Sequence, residues 1–91
     1  MDLEQARRIV REEQPNWQQL CFAAGVLATS SEATFLDLLA CLHHRGLPAE
    51  GAACALYVRT KRPRHNVSPL SVITDYTDWS EYLDAHGFVT K

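Results

Sequence analysis

Glycine is scarce in this chain of 91 residues: Gly25, Gly46, Gly51 and Gly87 are the only four, and each stands alone. A loop that cradles phosphate through successive backbone amides needs glycines in a cluster, so nucleotide binding of that kind is excluded. Cysteine is equally sparse. Cys21, Cys41 and Cys54 are odd in number, lack framework spacing and sit among Ala, Leu and Phe. That is the pattern of reduced cysteines used as small core residues, which points to a reducing compartment and so to the cytoplasm. Long apolar runs are missing too. The uncharged stretch 17–31 includes Gln18, Gln19, Thr29 and Ser30, too short and too polar to cross a bilayer. The opening Met-Asp-Leu-Glu-Gln is acidic and polar, unlike a secretory signal. Net charge is small, −2, so the molecule as a whole exerts no strong pull on nucleic acid.

What is present describes one modest domain. Apolar residues make up 46% and charged residues 22%, an ordinary globular balance. The length suits a single domain over 1–91. A chain of this size buries only about 60–65% of its unfolded surface, leaving little material for a deep substrate cavity.

Periodicity indicates an all-α fold, a bundle of about five short helices. Leu3, Ala6, Ile9 and Val10 share one helical face, and Asp2 with Gln5 has capping-box spacing. Pro15 forces a break or bend near Gln14. A second helix over about 16–28 is apolar on both sides, through Trp17, Leu20, Cys21, Ala24 and Leu27 on one and Phe22, Ala23 and Val26 on the other. Such a helix is expected in the middle of the bundle. Thr29 and Glu32 provide an N-cap signal for a third helix carrying Phe35, Leu38, Leu39 and Leu42. It should end near Arg45, with Gly46 at the C′ position. Pro48 fits the first turn of a fourth helix, which stops before Pro63. Residues 59–66 read as an exposed loop. Residues 67–74 are left open between a short helix and an extended segment, because Val72, Ile73 and Thr74 are β-branched. Asp78 with Glu81 opens a last helix, Gly87 stops it, and Phe88 or Val89 folds back onto it.

Four of the nine basic residues, Arg59, Lys61, Arg62 and Arg64, fall within six positions, with His65 beside them. Such a run can neutralise several phosphates or meet an acidic protein, although solvation is its commonest fate. The segment 75–84 is its opposite: Asp75, Asp78, Glu81 and Asp84 with no Lys or Arg. The two can attract each other within the fold or across a dimer. The stretches 36–46, 68–77 and 78–89 resemble the three helices of a winged helix, but the last is acidic, whereas a recognition helix needs donors for bases and phosphates. Cys41, His43 and His44, with Cys54 or His65, lack the paired spacing of a zinc site, so no metal and no cofactor is expected. No nucleophile, base or tuned carboxylate pair stands out, and the chain does not read as an enzyme.

Aromatic residues carry the remaining information. Trp17 is expected in the core, while Trp79 is divided between core and interface. The expectation for function is therefore a small interaction or regulatory module that binds another protein, including the case of a homodimer, with no membrane partner. Its surface would comprise Asp75, Tyr76, Asp78, Trp79, Glu81 and Tyr82. The alternative is a nucleic-acid-binding domain that uses Arg59, Lys61, Arg62, Arg64 and His65.

Overall fold

Four of the five described helices begin where a side chain satisfies an orphan backbone amide; the fourth in chain order, preceded by Gly46, does not. The computed structural model describes residues 1–63 and 72–88; Arg64, His65 and most of the 67–74 stretch lie outside them. Helix α1 (Leu3–Val10) starts at Asp2, whose carboxylate accepts from the Gln5 amide. Helix α2 (Trp17–Thr29) starts at Asn16, which accepts from the Gln19 amide. Helix α3 (Phe35–Cys41) has a full capping box between Thr34 and Asp37. Helix α4 (Leu47–Thr60) carries Pro48 in its first turn, where the missing donor costs nothing. Helix α5 (Tyr76–Ala85) is capped three residues before the expected Asp78, by Asp75, which accepts from the Asp78 amide. Among the described residues the regular structure is helical, with no strand.

The third helix departs from expectation at both ends. Thr29 does not cap it, because Thr29 is still the last residue of α2 and its hydroxyl donates to the Gly25 carbonyl. The cap falls five residues later, at Thr34. At the other end α3 closes at Cys41, and Gly46 serves α4 rather than α3. With φ +79° it leads into that helix, and the Trp17 ring packs so closely that a Cβ at position 46 would lie 3.3 Å from Cη2. Helix α4 in turn reaches Thr60, so Arg59 is helical and not part of a loop. Residues 72–75 lead into α5 without regular structure, which leaves no helix in that part of the supposed winged-helix middle segment.

The end of α5 follows the glycine signal. Gly87 has φ +75°, its amide donates to the Asp84 carbonyl, and the Phe88 amide donates to the Leu83 carbonyl. This is a Schellman closure. It turns Phe88 back so that its ring meets Phe35 of α3 edge-on at 5.4 Å.

The core is one cluster fed by all five helices, with Leu27, Leu38, Leu39, Leu56, Trp79 and Leu83 fully enclosed. Helix α2 packs chiefly on α1 and α4. Its covered face is Leu20, Ala23, Ala24 and Leu27. The helix is therefore not enclosed on all sides: Phe22 and Trp17 point outward, against the expectation that both would be interior. The described helices do not supply enough neighbours to surround α2.

Gly25 sits within α2, and a Cβ there would meet nothing within 4 Å. Glycine in a helix interior costs about 1 kcal/mol relative to alanine. Gly25→Ala should accordingly raise stability by about 1 kcal/mol in urea denaturation. A loss of stability would show that something packs against that position.

Candidate functional site

The acidic–aromatic corner foreseen around α5 is largely spent on the fold itself. Trp79 is fully buried, its indole N–H donates to the Ile73 carbonyl at 2.6 Å, and its ring meets Tyr57 edge-on at 4.9 Å. It belongs to the core, not to a contact surface. Asp78 accepts from Arg62 at 2.8 Å, and Asp75 caps α5. The Arg62 guanidinium lies over both Trp79 and Tyr82, 4.7 and 4.4 Å from the ring centres. Tyr76 stacks on His43 at 4.3 Å and Tyr82 on His86 at 4.0 Å. Of the six residues, Asp75 and Glu81 are exposed.

The basic run is likewise committed. Arg59 donates to the carbonyls of Ala33 and Ser30, tying α4 to the turn before α3. Arg62 is held by Asp78. The attraction between basic run and acidic helix is thus met within the molecule. Among the described basic residues of that run only Lys61 is exposed; Arg64 and His65 fall outside the described residues.

A third constellation was not anticipated from the sequence. Asp37 is only 2% exposed, yet it is ionised and fully partnered. One oxygen accepts from Arg7 Nε and the Thr34 amide, each at 2.9 Å, and the other from Arg11 at 3.0 Å. Burial pushes its carboxyl pKa up, but the Thr34 amide, Arg7 and Arg11 outweigh that and leave it below the usual carboxylate range. Arg7 also pairs with Glu4 at 2.6 Å. The available signal was Thr34-x-x-Asp37, a capping-box spacing immediately before an apolar run. The arginines lie 26 and 30 residues away, and no local pattern announces them.

Between the end of α1, α3 and the start of α5 lies an open cleft of about 490 Å³, lined by Arg11, Glu12, Leu36, His43, His44 and Tyr76 among others. His44 Nε2 donates to the Val10 carbonyl at 2.7 Å. Cys41 is buried, its thiol donates to the Asp37 carbonyl, and burial pushes its pKa up to about 12. It stays protonated at neutral pH and is no nucleophile. No three His, Cys, Asp or Glu side chains among the described residues converge as metal ligands.

No family model, curated protein or solved structure matches the chain. Function therefore has to be argued from its own surface.

The most distinctive part of that surface is the outer face of α2 and α4. Leu47, Val58, Phe22 and Trp17 are 67%, 74%, 60% and 54% exposed. Cys54 is also exposed, contrary to the core role expected of the cysteines, and Cys21 is half-buried. A groove of about 440 Å³ runs between the helices, lined by Ala28, Gly51, Cys54, Ala55, Val58 and Arg59 among others. No charged residue occurs between Glu13 and Glu32, so α2 carries none. Large apolar side chains exposed together on neighbouring helices often mark an interaction surface. Among the described residues no helix is long and apolar enough to cross a membrane.

Proposed function

We propose that this chain is a small protein-binding module that acts through the outer face of α2 and α4. The observation that carries this reading is the set of large apolar side chains left more than half exposed, Trp17 and Phe22 on the uncharged α2 and Leu47 and Val58 on α4. Large apolar and aromatic side chains dominate binding energy where a partner desolvates them, and charged groups are depleted at interface centres. The binding surface is thereby moved from the α5 corner, where Trp79 has no exposed area to offer, to the opposite use of aromatics on α2. Asp37 and its arginines hold α1 against α3 and give the module a rigid frame.

A photo-crosslinking amino acid placed at position 58, and separately at position 81, tests the assignment in cells. Protein adducts identified by mass spectrometry should arise from position 58 and be few from position 81. Adducts absent at 58, or equally abundant at both positions, would overturn the placement of the surface.

A further inference from the structure

The exposed side of α4 has a regular pattern. Leu47, Gly51, Cys54 and Val58 follow one another at spacings of four, three and four, the seam spacing of packed helices. All four lie outside the core, Gly51 partly covered and the others exposed. The order of sizes is large, small, small, large, which reads the same from either end. A Cβ at Gly51 would meet nothing within 4 Å, so no contact within the molecule requires glycine there. The helix nevertheless forgoes the higher helix propensity that alanine would supply there.

We infer that the occupant of this face is a second copy of the chain, with α4 packed antiparallel on α4 across a two-fold axis. The inference rests on the α2–α4 face being the binding surface. Three observations select a copy over another occupant. The palindrome of sizes is self-complementary: the helices approach closely where Gly51 meets Cys54 of the other copy. Leu47 and Val58 then fill the gap that widens towards the ends. Charge at the rim is self-complementary as well. Glu50 lies in the first turn of α4 and Lys61 just past its end, both exposed. Antiparallel packing moves the acid of each copy towards the base of the other, whereas parallel packing would set like against like. The area also suits a dimer. The exposed fractions of Trp17, Phe22, Leu47 and Val58 amount to about 500 Å² of apolar surface, before the small residues between them are counted, and a standard interface takes about 800 Å² from each partner.

The test uses purified chain alone, by sedimentation across a concentration series from low to high micromolar. The expected result is twice the monomer mass. Val58→Arg, at the most exposed apolar position, should weaken association about 100-fold with an unchanged helical spectrum. Glu50→Lys should weaken it too, and adding Lys61→Glu should restore it, which only the antiparallel arrangement predicts. A monomer at every concentration, a dimer indifferent to Val58→Arg, or a failed charge-swap rescue would overturn the inference. Should the purified chain be monomeric while position 58 still crosslinks to other proteins in cells, the second copy is excluded and the protein-binding reading stands. A dimer lost in Val58→Arg supports both.

Discussion

Asp37→Ala should cost about 3 kcal/mol of folding stability, the largest effect expected of any charged residue in the chain. The carboxylate is the N3 member of the α3 capping box, worth about 1 kcal/mol. It also receives charge-assisted hydrogen bonds from Arg7 and Arg11, each about 1.5–3 kcal/mol in full burial and less here because both guanidiniums reach solvent. A chain of this length has roughly 5–14 kcal/mol in total, so the variant should keep its fold with a sharply lower urea midpoint. Arg11→Ala, which leaves Arg7 in place, should cost less. A change below about 1 kcal/mol for Asp37→Ala would mean that the network contributes nothing beyond its own desolvation.

The same residue sets a pH dependence. The folded-state pKa of Asp37 lies below its unfolded value of about 3.9. A depressed carboxyl stabilises the fold in full above that unfolded value, and the contribution is lost as pH falls through the lower, folded one. The gap in stability between wild type and Asp37→Asn should therefore be constant near neutrality and shrink as the pH drops below about 4. A gap that persists at the acid end would assign the effect to shape and not to charge.

Trp79→Ala should be the most damaging single substitution, at about 3–5 kcal/mol. It removes the largest of the fully buried side chains. It also strips the Ile73 carbonyl of the indole donor and leaves the Arg62 guanidinium without the ring beneath it. Trp79→Phe retains part of the volume and should lose about half as much, because the ring contact with Tyr57 survives while the hydrogen bond does not. Denaturant titration of the two variants separates packing from hydrogen bonding. Equal losses would place the cost in the indole N–H alone.

Legibility divided along the range of the interactions. Asp2, Pro48 and Gly87 could be read in advance because each acts on backbone groups within a few residues of itself. The start of α3 could not. Thr29 and Thr34 both precede an acid by three positions, and only the extent of α2 decides that Thr29 is already used by the Gly25 carbonyl. The basic run resisted for a related reason: Arg59 and Arg62 are equally basic on paper whether they meet solvent, the Ala33 carbonyl or Asp78.

The sequence by itself therefore determined a predominantly helical fold, the starts of α1, α2 and α4, and the stop at Gly87. Periodicity and capping are local, and those are what a linear pattern can encode. Tertiary structure alone decided which side of α2 is covered, that Trp79 is inside while Trp17 is outside, and that Asp37 unites α1 with α3. Each of these depends on how many neighbours the other helices can provide and from which direction they arrive. A helix apolar all round states a demand for burial. Among the described residues, α1, α3 and α4 meet that demand on the side of α2 that carries Leu20, Ala23, Ala24 and Leu27, while Trp17 and Phe22 stay exposed.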